Sequence, residues 1–209
     1  MSDHHYDLIV LGTGTAGQTI AQACREAGWN VAVIDNRPPG GTCSQRGCDA
    51  KKPLVNAAAA MAQLNRLAHN GIEPGDAEIR WPDLVAFKRG FTTPIPVNTR
   101  DKLHELGIEL IDGEASFTSP STMNVDDREM SAEHFAICTG LRPRMLGVPG
   151  EEHLMSSDAF LELDELPSRI VFVGGGYVSF EFAHAVARAG TRAIVLERGE
   201  RVLKPFDAD

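Results

Sequence analysis

Two thiols five positions apart, Cys43 and Cys48, lie in the run Gly41-Thr42-Cys43-Ser44-Gln45-Arg46-Gly47-Cys48. On a helical or near-helical segment this spacing brings two sulfurs within bonding reach. The alanine-rich run that follows, from about 54 to 68, puts the pair near a helix N-terminus, where the positive dipole end favours a thiolate. A redox-active pair is one reading. Half a zinc site is another, since zinc ligands tolerate a four-residue gap, although no second Cys or His pair offers the remaining ligands. Two inert packing thiols are a third. Cys24, in a predicted helix, and Cys138, at the end of a predicted strand, read as buried structural thiols.

The second chemical pattern is a glycine cluster that occurs twice. Gly12-Thr13-Gly14-Thr15-Ala16-Gly17 follows an apolar run and precedes an amphipathic one; Gly174-Gly175-Gly176, with Ser179 in the third small-residue place, does the same. In such a motif the first glycine permits a tight turn, the second lets the backbone approach a pyrophosphate, and the third lets helix and strand pack closely. The helix N-terminus then offers free N–H groups to phosphate. An acid closing the next strand accepts hydrogen bonds from ribose hydroxyls, and here it is Asp35 after the first cluster and Glu197 after the second. Each acid lies 23 positions beyond the first glycine of its cluster. A strand, a helix and an acid in their expected places around both copies point to two dinucleotide sites.

The elements that must position these residues follow from the apolar pattern. Strands are expected at 6–11, 30–34, 107–117, 122–125, 134–139, 169–173 and 191–196. Helices are expected at 16–27, 54–68 and 177–189, and a long one over 84–106 that Pro94 and Pro96 must kink or whose start they must delay. The segment 142–150, rich in proline and glycine, reads as a linker. The net charge of −9 argues against nonspecific nucleic-acid binding, which needs a basic surface. No apolar run approaches the roughly 18 residues that span a bilayer. The start, with His4 and His5, lacks the pattern of a signal peptide, so a cytoplasmic protein is expected.

At this point the chain resembles the pyridine nucleotide–disulfide oxidoreductases, the class of glutathione, trypanothione and mercuric reductases and dihydrolipoamide dehydrogenase. The residues that carry the resemblance are Gly40-Gly41-Thr42-Cys43 to Cys48 followed by Lys51-Lys52, then Gly113-Glu114-Ala115, Thr139-Gly140, and Gly174 to Glu181 read as G-G-G-Y-V-S-F-E. The resemblance implies an α/β fold: a Rossmann-like FAD-binding domain over 1–150, with a parallel sheet and a small antiparallel segment, then an incomplete NAD(P)-binding unit over 151–209. It implies FAD held by Gly12, Gly14, Gly17, Asp35, Gly41, Thr42, Lys52, Ala115, Thr139 and Gly140. It implies NAD(P)H held by Gly174, Gly176, Tyr177, Glu197 and Arg198. Cys48 would be the thiol nearest the flavin and Cys43 the one that attacks a small disulfide substrate. Lys51 would sit by the flavin and pair with Glu181, and Tyr177 would guard the nicotinamide side. No metal site is expected.

The chain also departs from the family pattern. Asp35 replaces the usual Glu, and Gln22 stands where glutathione reductases carry a substrate-binding Arg, which weakens glutathione as the substrate. Family chains are about twice as long. A fragment of a homodimeric enzyme, with little turnover by these residues alone, is therefore the expectation. The competing expectations are a noncatalytic short FAD-binding protein or pseudogene product, and an enzyme nearer to dihydrolipoamide dehydrogenase or mercuric reductase. Glu197 favours NADH, while Arg198 and Lys204 match positions that hold the extra phosphate of NADPH. The seven histidines, His4, His5, His69, His104, His134, His153 and His184, read as solvated or packing residues.

Overall fold

The computed structural model describes residues 5–68 and 70–207, so His4 and His69 lie outside it. The first apolar run is β1 (His5–Leu11), followed by α1 (Thr15–Glu26) and β2 (Val31–Asp35). Alternate residues of these strands face two cores: Leu8, Val10, Val31 and Val33 on one side, Ile9, Ala32 and Ile34 on the other. A strand apolar on both faces must be covered on both, the mark of a parallel sheet inside an α/β layer.

Next come α2 (Gly41–Arg46), α3 (Cys48–Leu67), α4 (Trp81–Thr92) and α5 (Ile95–Glu105). The single long helix expected over 84–106, kinked or late in starting, is two helices. Residue 93 precedes Pro94 and is steered out of helical geometry, and Pro94 caps α5 with Pro96 in its first turn, where a missing N–H costs nothing. Strands β3 (Glu109–Asp112), β4 (Ala115–Phe117), β5 (Thr122–Val125) and β6 (Arg128–Ile137) complete one six-stranded sheet of order β3-β2-β1-β6-β5-β4. The pairs among β3, β2, β1 and β6 are parallel, and β4-β5-β6 is the antiparallel segment. β6 starts six residues before the expected strand. Its polar first half, Arg128 to Glu133, hides it from a hydrophobicity reading, and a two-residue turn with Asp126 at φ +52° hands it directly on from β5.

After an irregular, exposed stretch over 139–148 come α6 (Ser157–Phe160), β7 (Arg169–Val173), α7 (Tyr177–Arg188) and β8 (Arg192–Leu196), with β7 and β8 paired in parallel. The chain divides into two compact units. Unit 1 is Met1–Cys48 with Phe91–Val148, and unit 2 is Asp49–Gly90 with Pro149–Asp209. The sequence reading places one boundary at 150; unit 2 also takes in most of α3 and α4. Its core joins Ala50, Leu54 and Ala58 to Trp81, Val85, Phe160 and Phe182. Among the described residues no helix is long and apolar enough to cross a membrane.

Candidate functional site

In unit 1 the glycine turn is built by close backbone approach. Gly12 has φ +104°, and a Cβ there would come 2.4 Å from the Cys138 carbonyl oxygen. A Cβ on Gly17 would come 1.9 Å from the Gly12 oxygen, which is the close helix–strand packing expected of the third glycine. Gly41, at φ +75°, passes so near Gly14 that a Cβ would lie 2.4 Å from its Cα. The cysteine loop and the glycine turn therefore press backbone on backbone.

Asp35 ties this arrangement together. Its Oδ2 accepts from the Thr13 backbone N–H at 2.8 Å and from the Thr13 hydroxyl, and its Oδ1 accepts from the Arg37 N–H at 3.0 Å. The buried Thr13 hydroxyl in turn accepts from the Gly40 N–H at 2.9 Å. Oδ1 keeps acceptor capacity for a further hydroxyl. Gly14 caps α1 without a side-chain hydrogen bond, so the first-turn N–H groups stay available to an anion. An uncapped helix start, bare glycine backbone and a part-used carboxylate suit the diphosphate and ribose of FAD. The other expected contributors to this site are dispersed. Ala115 opens β4 and is half-buried, Thr139 and Gly140 are exposed just past β6, and Thr42 is exposed on α2. The ends of β1, β2, β3 and β6 all lie at the carboxyl edge of one parallel sheet, where α/β folds bind their ligands.

Cys43 lies on α2, and Cys48 is the first residue of α3, a helix of 20 residues. Between them Gly47 runs so close that a Cβ would be 3.2 Å from the Cys43 Cα. Both cysteines are exposed, whereas Cys24 and Cys138 are half-buried against the core of unit 1. Lys52 is exposed and pairs with Asp49 at 2.8 Å.

In unit 2, three expected residues meet. Lys51, one turn beyond Cys48 on α3, pairs with Glu181 on α7. Its ammonium also sits 4.9 Å from the ring centroid of Tyr177, four positions before Glu181 on the same helix. Residues four apart share one helix face, so the sequence spacing Tyr177–Glu181 creates a two-sided receptor for one cation. The Lys51 side chain is 17% exposed.

The second glycine turn repeats the first. Glu197 Oε2 accepts from the Gly175 N–H at 2.8 Å, and Oε1 accepts from the Gly199 N–H at 2.7 Å. These backbone donors, with Lys204 at 3.7 Å, hold its carboxyl below the usual carboxylate range. Leu203 N–H donates to the Gly175 oxygen at 2.8 Å, strapping the following segment to the turn. Gly176 caps α7 without a side-chain hydrogen bond, and space is open around Gly174 and Gly176, so this start suits a second diphosphate. Arg198 is exposed.

Sequence reasoning missed the anchor formed by α4. Lys88 is fully buried and donates to the Leu161 oxygen at 2.9 Å and to Glu162. Arg89 bonds Glu162 and Asp164, and the Trp81 indole N–H donates to the Leu163 oxygen at 2.9 Å. Burial works against the Glu162 charge, yet the hydrogen bonds from Lys88 and Arg89 win and lower its pKa. The available signal was periodic: Lys88 falls on the stripe of Trp81 and Val85, where an apolar residue is expected. The role of Thr13 as partner of Asp35 was also missed, and no spacing signal marks it.

The family profile described as pyridine nucleotide-disulphide oxidoreductase matches residues 6–209. A glutathione reductase from a Nostoc species is 33% identical over 98% of this chain and 44% of its own length. A mercuric reductase from Staphylococcus aureus is 31% identical over 99% of this chain and 38% of its own. Among solved structures, the HOCl-induced flavoprotein disulfide reductase RclA from Escherichia coli superposes with a TM-score of 0.82 at 28% identity, covering 98% of this chain and 45% of that one. The chain thus spans less than half the length of the relatives it matches.

Proposed function

This chain belongs to the pyridine nucleotide-disulphide oxidoreductase family, and from that premise we propose that it works as a FAD-dependent NAD(P)H:disulfide oxidoreductase acting on a small disulfide. The observation that carries the reading is the meeting of Lys51, Glu181 and Tyr177 one turn beyond Cys48. Two segments distant in sequence converge here, since Lys51 lies on the helix that begins with an exposed thiol and Tyr177 and Glu181 lie on α7. When bound, FAD supplies a two-electron relay between nicotinamide and thiol chemistry. Gly12, Gly14 and Gly41 would offer bare backbone to its diphosphate, and Asp35 would accept from its ribose. Lys51, positioned by Glu181 and Tyr177, would set its ammonium beside the cofactor.

The thiols carry the substrate half of the reaction. The Cys43 thiolate attacks one sulfur of the substrate disulfide, forming a mixed disulfide and expelling one substrate thiolate, which takes a proton. The Cys48 thiolate then attacks the Cys43 sulfur, closing the Cys43–Cys48 bond and releasing the second substrate thiolate. Both residues are exposed, as a thiol that must reach a partner requires. Reading the pair as redox-active also keeps the protein in a reducing compartment such as the cytoplasm. A homodimer belongs to the same reading.

For the coenzyme we infer NADH. Glu197 stands where an acid meets the adenosine ribose and repels an added phosphate. Lys204 at 3.7 Å and the exposed Arg198 offset part of that repulsion, so NADPH remains usable. Following the thiolate–flavin absorption band on reduction of the FAD-loaded protein tests the central assignment. Cys48→Ser should abolish the band, and Cys43→Ser should keep it while stopping disulfide reduction. A band unchanged in Cys48→Ser removes Cys48 from its role.

A further inference from the structure

A cleft of about 530 Å³ opens within unit 1 between the 35–39 loop, Pro96 and Arg100 of α5, and the 112–114 turn. Its lining carries three carboxylates beside Arg37 and Arg100. Asp35 and Asp112 are register partners at the carboxyl ends of β2 and β3, and Glu114 follows two positions later. Asp35 is already held by backbone N–H groups. Asp112 is met by Arg100, one of whose guanidinium nitrogens donates to both carboxylate oxygens at 2.9 and 3.0 Å.

The remaining N–H groups of Arg100 make no hydrogen bond among the described residues. The helix under Arg100 is fixed, because Ile95 and Thr99 pack on Gly40. A Cβ at Gly40 would come 2.4 Å from the Ile95 Cγ2 and 3.2 Å from the Thr99 hydroxyl. Arg100 therefore stands on a rigid support with one edge anchored and the rest of its planar group unspent. The apolar rings of Pro38, Pro39 and Pro96 line the same space. A planar, weakly hydrated cation stacks well on an aromatic face, and its free N–H groups suit ring-nitrogen acceptors.

We propose that Arg100 is an adenine-binding residue of this cleft and that Asp112 is its positioning residue, so that the two select an adenine nucleotide diphosphate. The proposal rests on the reading of unit 1 as a FAD domain and names a side chain that makes the adenosine end bind. The Arg100–Asp112 pair is 47% and 63% exposed. An ion pair so open contributes little to folding, so substitutions there report on binding.

The test is equilibrium binding of ADP and of FAD to the purified chain, with thermal melting as the control. Arg100→Gln should weaken both ligands about tenfold with an unchanged melting midpoint. Arg100→Lys keeps the charge but loses the plane, and should recover only part of the loss. Asp112→Asn should weaken ADP about threefold, and the double variant should bind no worse than Arg100→Gln, because Asp112 acts only through Arg100. Affinity of Arg100→Gln within twofold of wild type overturns the proposal and leaves the FAD reading standing. An additive double variant overturns the positioning role of Asp112. Failure of the wild-type chain to bind either ligand overturns the FAD reading and the proposal with it.

Discussion

The glycine turns of the two units start from nearly the same backbone, with φ at +104° for Gly12 and +105° for Gly174. Each is closed by an acid 22 positions beyond its second residue, through one bond to that residue's N–H and one to the N–H two positions past the acid. Their surroundings differ. Around Gly12 the Cys138 carbonyl leaves no room for a Cβ, because β6 flanks β1 in a six-stranded sheet. A Cβ on Gly174 would meet nothing within 4 Å, and the strands beside it form a pair whose Val171, Val173 and Leu196 are exposed. The second residue differs too: the Thr13 hydroxyl adds a bond to Asp35 and one from Gly40, and Gly175 adds none. Equal spacing produces equal local hydrogen bonding, while the depth at which a turn is locked depends on how much sheet surrounds it.

The sharpest way to break this comparison is to place the same methyl group on both turns. Gly12→Ala must distort the backbone and displace the Cys138 carbonyl, and should destabilise the protein by about 3–5 kcal/mol. Gly174→Ala meets only the conformational penalty, about 1–3 kcal/mol. Denaturant titration of the two variants measures the gap, and equal losses would show that crowding at Gly12 does not matter.

A smaller effect is expected from the acids. In the cofactor-free protein Asp35→Ala leaves the buried Thr13 donors without an acceptor and should cost about 2 kcal/mol. Glu197→Ala should lower the melting midpoint less, since water reaches its partners more readily. Amide exchange at residues 13 and 175 reads each bond directly. If both acids served only to bind ribose, neither substitution would change exchange in the absence of ligand.

The smallest effect is in acid. Glu197 and Glu162 both have folded pKa values below their ordinary value of 4.5. Their bonds therefore stabilise the fold fully above that value, and the contribution is lost as pH falls through the lower, folded pKa. Melting midpoints followed from pH 6 downward should drop on the acid side, and Glu197→Ala should flatten part of that drop. An unchanged acid limb would remove Glu197 as a contributor.

What was legible in the sequence is what depends on local pattern. The βαβ units, the paired glycine clusters and their acids follow from apolar periodicity and from the few residues that tolerate positive φ. The thiol pair at a helix start is legible for the same reason, since five positions and an alanine run suffice. The break of 84–106 into α4 and α5 was half legible, because proline announces strain without saying where the chain yields. The polar first half of β6 was not legible, because its pairing is decided by β5 and β1 on either side.

Tertiary structure alone decided the partners of charged groups. That Lys51 lies against both Glu181 and Tyr177, that Lys88 is buried on Leu161 and Glu162, and that Arg100 reaches Asp112 depends on which helix packs beside which segment. A long charged side chain carries no periodic signature of its partner. Its energy is set by desolvation and by the distance to an opposite charge, and both exist only once distant segments have been brought together.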